Sequence, residues 1–115
     1  MSTFGPYPAV VAEVHDGDTL TLIVDLGFNI AFRSACRCWG INAPELATTE
    51  GKASLDYALT LIKPSDACTV VSHGWDKYGG RFLGAVTLAD GRDFGIAMVT
   101  SGNAKPYFGV GPKTT

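Results

Sequence analysis

Hydrophobic and polar residues alternate along several stretches of this chain. Residues 9–14 and 19–24 are rich in Val, Thr, Leu and Ile and flank a short acidic turn, which is the pattern of a β-hairpin. Further stretches of β-favouring residues cover 30–41, 67–72 and 82–88. The pattern therefore predicts five strands.

Between the third and fourth predicted strands the spacing of apolar residues changes to three and four. Residues 49–63 are predicted to form the main helix, with Thr49 as its cap and Pro64 after its end. A short second helix is predicted at about 93–100, ending before Gly102. The apolar positions of the main helix are Ala53, Tyr57, Ala58, Leu61 and Ile62.

This order of elements predicts an α+β fold, a β-barrel with helices. Five strands, with the main helix between strands 3 and 4 and a short helix after strand 5, are the layout of an OB-type Greek-key barrel. All 115 residues are predicted to form one domain, with a core over about 9–107 and a loosely held tail at 108–115. Such barrels bind oligonucleotides and oligosaccharides, but the fold alone does not decide function.

Composition narrows the class of protein. Nine Lys and Arg against eleven Asp and Glu give a net charge of -2, so any phosphate binding has to be local. The absence of a long apolar stretch and of a signal peptide predicts a soluble, cytoplasmic protein with no membrane partner. Trp39 and Trp75 are expected to be packing residues. The cysteines, predicted to be reduced and buried, are Cys36, Cys38 and Cys68.

Charged and polar residues with no obvious core role occur in four short segments. Carboxylates can activate water or hold a hard cation, and guanidinium groups bind phosphate, so together they suit phosphodiester hydrolysis. The segments are Asp16-Gly17-Asp18-Thr19, Arg37 with Gly40-Ile41-Asn42-Ala43-Pro44-Glu45, Asp76-Lys77-Tyr78-Gly79-Gly80-Arg81, and Gly102-Asn103-Ala104-Lys105-Pro106-Tyr107.

Each segment also has a simpler explanation when it is taken alone. An Asp-Gly pair is typical of a hairpin turn, and Asn42 three residues before Glu45 matches a helix capping box. Arg37 is predicted on the outer face of its strand, where an arginine is usually solvated. An arginine that follows two glycines, as Arg81 does, usually lies on the far side of a hairpin.

In order and spacing the four segments resemble the staphylococcal (micrococcal) nuclease family, over roughly residues 10–107. The resemblance implies an OB-fold barrel and calcium-dependent hydrolysis of phosphodiesters in DNA and RNA, with low sequence specificity. It allows other divalent cations, and we expect a monomer.

The resemblance also implies a role for individual residues. Arg37 and Arg81 look like the arginines that grip the phosphate, and Glu45 looks like the proposed general base. The implied metal site consists of Asp18 as a ligand, Asn42, the backbone of Ala43, and Asp16 in support. The residues implied around the nucleotide are Lys77, Tyr78 and Tyr107.

Two positions depart from the family pattern. Asn42 falls where the family has its second acidic ligand, and an amide oxygen brings no charge, so we expect weaker calcium binding. Arg81 lies one residue later than in the shortest version of its turn, after Gly79 and Gly80. The alternative functions are a non-catalytic OB-fold nucleic-acid-binding module and a protein-interaction domain.

Overall fold

The computed structural model describes residues 3–77 and 79–107. Within these ranges the chain forms a closed barrel of five strands and two helices, which confirms the predicted β-barrel with helices. Tyr78 and the predicted tail at 108–115 lie outside the described residues.

The barrel contains both antiparallel and parallel strand pairs. In chain order the strands of the described residues are β1 (Phe4–Asp16), β2 (Thr19–Asp25), β3 (Ala31–Cys38), β4 (Ile41–Asn42), β5 (Ala67–Trp75), β6 (Arg81–Leu88) and β7 (Lys105–Pro106). Five of them form the barrel in the order β1-β2-β3-β6-β5, in which β3 and β6 run parallel and the other described pairs are antiparallel.

The predicted third strand at 30–41 is in fact two strands. The chain turns between β3 and β4 at Gly40, whose φ of +83° lies in the left-handed region that glycine adopts at little cost. β4 then leaves the barrel and pairs with β7, with Ile41 opposite Pro106. We call this two-stranded sheet the outer ribbon. Its strands of two residues are too short to show an alternating pattern.

The helices are α1 (Thr49–Leu61) and α2 (Phe94–Thr100). Thr48, rather than the predicted Thr49, caps α1, because its hydroxyl accepts a hydrogen bond from the Gly51 N–H (2.9 Å). The capping-box interpretation of Asn42 is wrong, since Asn42 lies in β4. Among the described residues, neither helix is long and apolar enough to cross a lipid bilayer.

Helix α1 packs most of its predicted apolar positions against the core. Ala58 and Ile62 are buried and Tyr57 and Leu61 are partly buried, whereas Ala53 is exposed. Gly51 and Ser54 are buried as well. The small buried residues let the helix approach the β1–β2 turn so closely that a Cβ atom on Gly17 would overlap the Ser54 hydroxyl. The acidic turn is therefore packed against a helix, whereas a hairpin turn with no further role usually lies in solvent.

The interior of the barrel is apolar, and the inward face of β3 carries two thiols. Cys36 and Cys38 are buried there and Cys68 is buried on β5; all three are free, as predicted. Burial raises the pKa of Cys68 to about 11.

Trp75 differs from expectation: it is 59% exposed and does not pack in the core.

Candidate active site

The acidic turn between β1 and β2 is held by its own side chains. An Asp16 carboxylate oxygen accepts a hydrogen bond from the Asp18 N–H (3.0 Å), and Asp18 Oδ1 accepts one from the Thr19 hydroxyl (3.0 Å). Asp16 is half-buried and Asp18 is buried, with 9% of its surface exposed. Both carboxylates therefore belong to one small, partly dehydrated turn.

Asp18 also ties this turn to the segment that follows β3. Its Oδ2 accepts a hydrogen bond from the Ala43 N–H (2.8 Å), and its backbone carbonyl accepts one from the Cys38 N–H (2.8 Å). Because one residue bonds on both sides of the turn at Gly40, Asp18 fixes where β4 begins relative to the barrel. The sequence separation of these bonds explains why local patterns did not predict them.

Arg37 lies on the outer side of the barrel wall, as predicted, but it is not solvated. Only 7% of its surface is exposed. Its Nη1 donates to the Ile41 carbonyl (3.0 Å) and lies 3.9 Å from Asp18 Oδ2. Its guanidinium carbon lies 5.8 Å from the centre of the Tyr107 ring. The outer ribbon and Tyr107 thus enclose a charge that strand position alone would leave in water.

Asn42 completes this centre in a way that its sequence position did not predict. Its Oδ1 accepts a hydrogen bond from Arg37 Nη2 (3.2 Å), and the residue is 2% exposed. Its Nδ2 is buried and has no hydrogen-bond partner among the described residues. Turning the amide around would set its N–H groups against the Arg37 guanidinium, so the observed orientation is the favourable one.

The pKa values of the two carboxylates in the turn are shifted in opposite directions. Burial, and then the nearness of Asp18, raise the pKa of Asp16 to about 6. Burial opposes ionisation of Asp18 too, but hydrogen bonds from Asp16 and the Ala43 N–H, with the charge of Arg37, hold the pKa of Asp18 below its usual value. As pH rises, Asp18 therefore ionises first and Asp16 only near pH 6, so that both carboxylates are largely charged at pH 7.

This raised pKa predicts that Asp16→Asn stabilises the protein at pH 7. The folded state binds the Asp16 proton more tightly than the unfolded state, so stability is lost as pH rises from about 4 to about 6. An asparagine keeps the acceptor oxygen and removes the charge, so we expect a gain of about 1 kcal/mol, a value reduced for the solvent exposure of the turn. Urea unfolding at pH 4 and pH 7 measures it.

Asp25→Asn is the matched control for this prediction. Asp25 accepts the same kind of bond, from the Gly27 N–H two residues on (2.8 Å), in an exposed turn away from the pair. Both variants lose one negative charge. If Asp25→Asn gains as much stability at pH 7 as Asp16→Asn, the gain reflects net charge and the assignment to the acidic pair is wrong.

The donor atoms of the centre fit a loosely held hard cation. Asp16 and Asp18 offer carboxylate oxygens, and the backbone of Ala43 lies beside them. The Asn42 oxygen is engaged by Arg37, so in this arrangement Asn42 does not act as the expected ligand. In the part of the chain that the structure describes, no three His, Cys, Asp or Glu side chains group together in a position to hold a metal ion. Water and substrate oxygens would have to complete the coordination.

Glu45 stands at the edge of this centre. It is exposed, and it follows Ala43 by two residues in the turn before α1. Its backbone carbonyl accepts hydrogen bonds from the N–H (3.0 Å) and hydroxyl (2.7 Å) of Thr48, and it lies so close to Gly51 that a Cβ there would overlap it. The start of α1 therefore fixes the backbone of Glu45 and leaves its carboxylate in solvent.

Arg81 leaves the barrel on the same side as Arg37. In the parallel pair of β3 and β6 it lies opposite Ala35, two residues before Arg37, so the two side chains share the outer face of adjacent strands. Its Nε donates to Asp76 Oδ2 (2.7 Å), a partner that sequence analysis did not identify. The additional glycine, Gly80, has a φ of +77° and open space around it, so the longer turn is accommodated without collision.

The three residues expected around a nucleotide have different outcomes. Tyr107 lies against Arg37, and its N–H donates to the Gly40 carbonyl (2.8 Å). Lys77 is exposed in the turn between β5 and β6. Tyr78 lies outside the described residues.

Neither a protein-family model nor a curated protein matches this sequence, so the evidence for a function is the geometry of the centre.

Proposed function

We propose that this protein is a metal-dependent nuclease of the staphylococcal nuclease type, built on an OB-type Greek-key barrel, which hydrolyses phosphodiester bonds of DNA or RNA with low sequence specificity. The observation that carries the proposal is the buried pair of Asp18 and Arg37, whose Oδ2 and Nη1 are 3.9 Å apart. Buried charges are costly, and they concentrate at functional sites. All the residues used belong to one chain, so a monomer suffices.

The arginines supply the phosphate-binding part of this activity. A guanidinium group presents several N–H donors in one plane and matches two phosphate oxygens at once. Arg37 is already oriented by the Ile41 carbonyl and the Asn42 oxygen, so little conformational freedom is lost when substrate binds. Arg81, on the adjacent strand, approaches the same phosphate from the other side. Both stabilise the charge that builds on the phosphoryl oxygens.

Glu45 supplies the proton acceptor. Its exposed carboxylate can hold a water molecule and take its proton as the oxygen attacks phosphorus. The phosphorus–oxygen bond to the leaving nucleotide breaks as the new bond forms, and the leaving oxygen takes a proton from solvent. When a calcium ion is bound, it supplies Lewis-acid stabilisation of the phosphoryl oxygens. Asp18 and Asp16 would hold that ion, and Asp18 also positions the Ala43 backbone that leads to Glu45.

The direct test is digestion of single-stranded DNA and of RNA with millimolar calcium, repeated with a chelator. We expect cleavage that the chelator abolishes and that Glu45→Gln lowers by about 10²-fold or more. Glu50→Gln is the matched control, because Glu50 is an exposed glutamate in the first turn of α1. Folded protein that cleaves neither substrate with calcium, magnesium or manganese would refute the proposal.

A second function, a nucleic-acid-binding module without catalysis, is favoured by one observation. The Asn42 oxygen accepts a hydrogen bond from Arg37, and its buried amide nitrogen, which cannot ligate a cation, has no hydrogen-bond partner among the described residues. Such a module retains oligonucleotides in a salt-dependent manner without cleaving them, whatever the metal.

The substitution Asn42→Asp separates the two functions. One carboxylate oxygen keeps the bond to Arg37 and the other supplies charge, so we expect calcium affinity to rise on the order of tenfold, with faster cleavage. Isothermal titration with calcium and a cleavage assay measure the two effects. Asn29→Asp makes the same charge change in an exposed turn and is the control. Tighter calcium binding without cleavage supports the binding module. If neither calcium affinity nor cleavage changes, Asn42 is not part of the metal site.

A further inference from the structure

An apolar cleft of about 380 Å³ opens at the end of the barrel that lies away from the acidic turn. It is formed by the start of β1, the end of β2, the start of β3 and the ends of β5 and β6 that meet at their hairpin, whereas the acidic turn joins the end of β1 to the start of β2. Five of its lining residues are aromatic, and we call it the aromatic cleft: Phe4, Tyr7, Phe32, Trp75 and Phe82.

The cleft is open because strand pairing is incomplete on this side of the barrel. β3 pairs with β6 only from Ala35 to Cys38, so residues 31–34 have a described strand partner on the β2 side alone. The described pairing of β1 with β5 likewise ends at Phe4 and Ser72. Aromatic side chains between these strand ends reach solvent. Their apolar surface contributes hydrophobic free energy only when a ligand covers it.

The exposure of these rings is large. Trp75 is 59% exposed, Phe4 54% and Phe32 42%. Flat exposed rings are the surfaces on which single-stranded nucleic acids stack their bases, and this stacking tolerates any sequence because every base has a π-face.

Three arginines lie on the outer face beside the cleft, and each is within 4 Å of a carboxylate with which a bound phosphate has to compete: Glu13, Asp18 and Asp76. Arg33 precedes Ala35 on β3 by two residues and Arg37 follows it by two, while Arg81 lies opposite Ala35 on β6. Three of the four arginines of this acidic chain therefore share one outer face, with about 8 Å between the Cα atom of Arg81 and that of Arg33 or Arg37. Such a line of arginines complements the evenly spaced charges of a phosphodiester backbone.

We propose that the aromatic cleft binds unpaired bases of a single-stranded nucleic acid, whose phosphates follow Arg33 and Arg81 towards Arg37. The choice of ligand class rests on the proposed function. The edge of β3 separates the two contacts, because Phe32 faces the cleft and the neighbouring Arg33 extends into solvent on the other side. A duplex keeps its bases stacked inside and cannot use the cleft, so the protein should prefer single strands.

The test measures binding of a fluorescent 12-nucleotide oligothymidylate to the full chain by anisotropy, in chelator so that no cleavage occurs. A backbone-only oligonucleotide of the same length, in which all bases are absent, is the second probe. We expect Trp75→Ala and Phe32→Ala each to weaken oligothymidylate binding about 5- to 100-fold and to leave binding of the abasic probe unchanged. Phe28→Ala is the matched control, because Phe28 is 92% exposed and does not line the cleft.

Salt dependence tests the arginines separately from the rings. Arg33→Gln should lower the slope of log affinity against log salt by about one and weaken both probes. Trp75→Ala should leave that slope unchanged. Thermal melting shows whether each variant is folded, and we expect folded protein because Trp75 and Arg33 are more than half exposed and Phe32 is 42% exposed.

Three results would overturn the proposal. They are wild-type affinity for oligothymidylate in both ring variants, equal binding of the abasic probe and oligothymidylate by the wild type, and self-association through the cleft that oligothymidylate does not disrupt. These results are distinct from failure of the nuclease proposal. If the protein binds oligothymidylate through Trp75 but never cleaves it, the cleft proposal stands and the nuclease proposal fails. If the protein cleaves and its ring variants keep wild-type affinity, the nuclease proposal stands and the cleft proposal fails.

Discussion

Replacing Arg37 by lysine is expected to lower the rate of phosphodiester cleavage by about 10³-fold. A lysine ammonium cannot bond the Ile41 carbonyl, the Asn42 oxygen and two phosphate oxygens in one plane. Removal of one electrostatic contact to the transition state commonly costs 10² to 10³ in rate, and loss of an arginine in phosphoryl transfer costs 10³ or more. Single-turnover cleavage of a labelled oligonucleotide in saturating calcium measures the effect.

Arg92→Lys is the control for this substitution. Arg92 is an exposed arginine that donates to Asp90 (2.8 Å) in the turn before α2, away from the centre. Its variant should cleave at the wild-type rate. Cleavage by Arg37→Lys within a few-fold of wild type would show that Arg37 is a structural residue that holds the outer ribbon and does not bind the reacting phosphate.

Asp18→Ala is expected to lower the free energy of unfolding by about 3 to 5 kcal/mol. The change leaves the Ala43 N–H without its acceptor and the buried Arg37 charge without its carboxylate. Asp18→Asn should cost less, because an amide oxygen can still accept from the Ala43 N–H. Urea unfolding at pH 7 in chelator measures both.

The exposed carboxylate of Asp90 is the control for Asp18. Asp90→Ala removes an ion pair that lies fully in solvent, and we expect the urea midpoint to stay close to that of the wild type. An Asp18→Ala midpoint equally close to the wild type would mean that the carboxylate contributes nothing to the fold. Calcium should raise the melting temperature of the wild type and of Asp90→Ala but not of Asp18→Ala.

Much of the barrel could be predicted because its signals are local. Alternation along residues 19–24 places Leu20 and Leu22 inside, and the change of spacing after Thr49 marks a helix. Errors are confined to features with weak local signals. Pro6 and Pro8 hid the start of β1, and a glycine divided the predicted third strand.

The candidate centre was predicted as a set of residues but not as an arrangement. The sequence placed Arg37 on the outer face of a strand, and only the ribbon of β4 and β7 shows that it is enclosed. The amide of Asn42 was expected to face a cation. Its oxygen bonds Arg37 instead, because a buried guanidinium without a hydrogen-bond acceptor is costly.

The acidic turn shows the division most clearly. Local sequence is sufficient to place Asp16 and Asp18 on either side of one glycine between two strands, since turn chemistry depends on neighbouring residues. The surroundings of the two carboxylates depend on the fold: Ser54 lies against the turn, the Ala43 N–H and Arg37 lie beside Asp18, and burial raises the pKa of Asp16 to about 6. Burial and long-range hydrogen bonds depend on residues far apart in the chain, so a local sequence pattern cannot predict either of them.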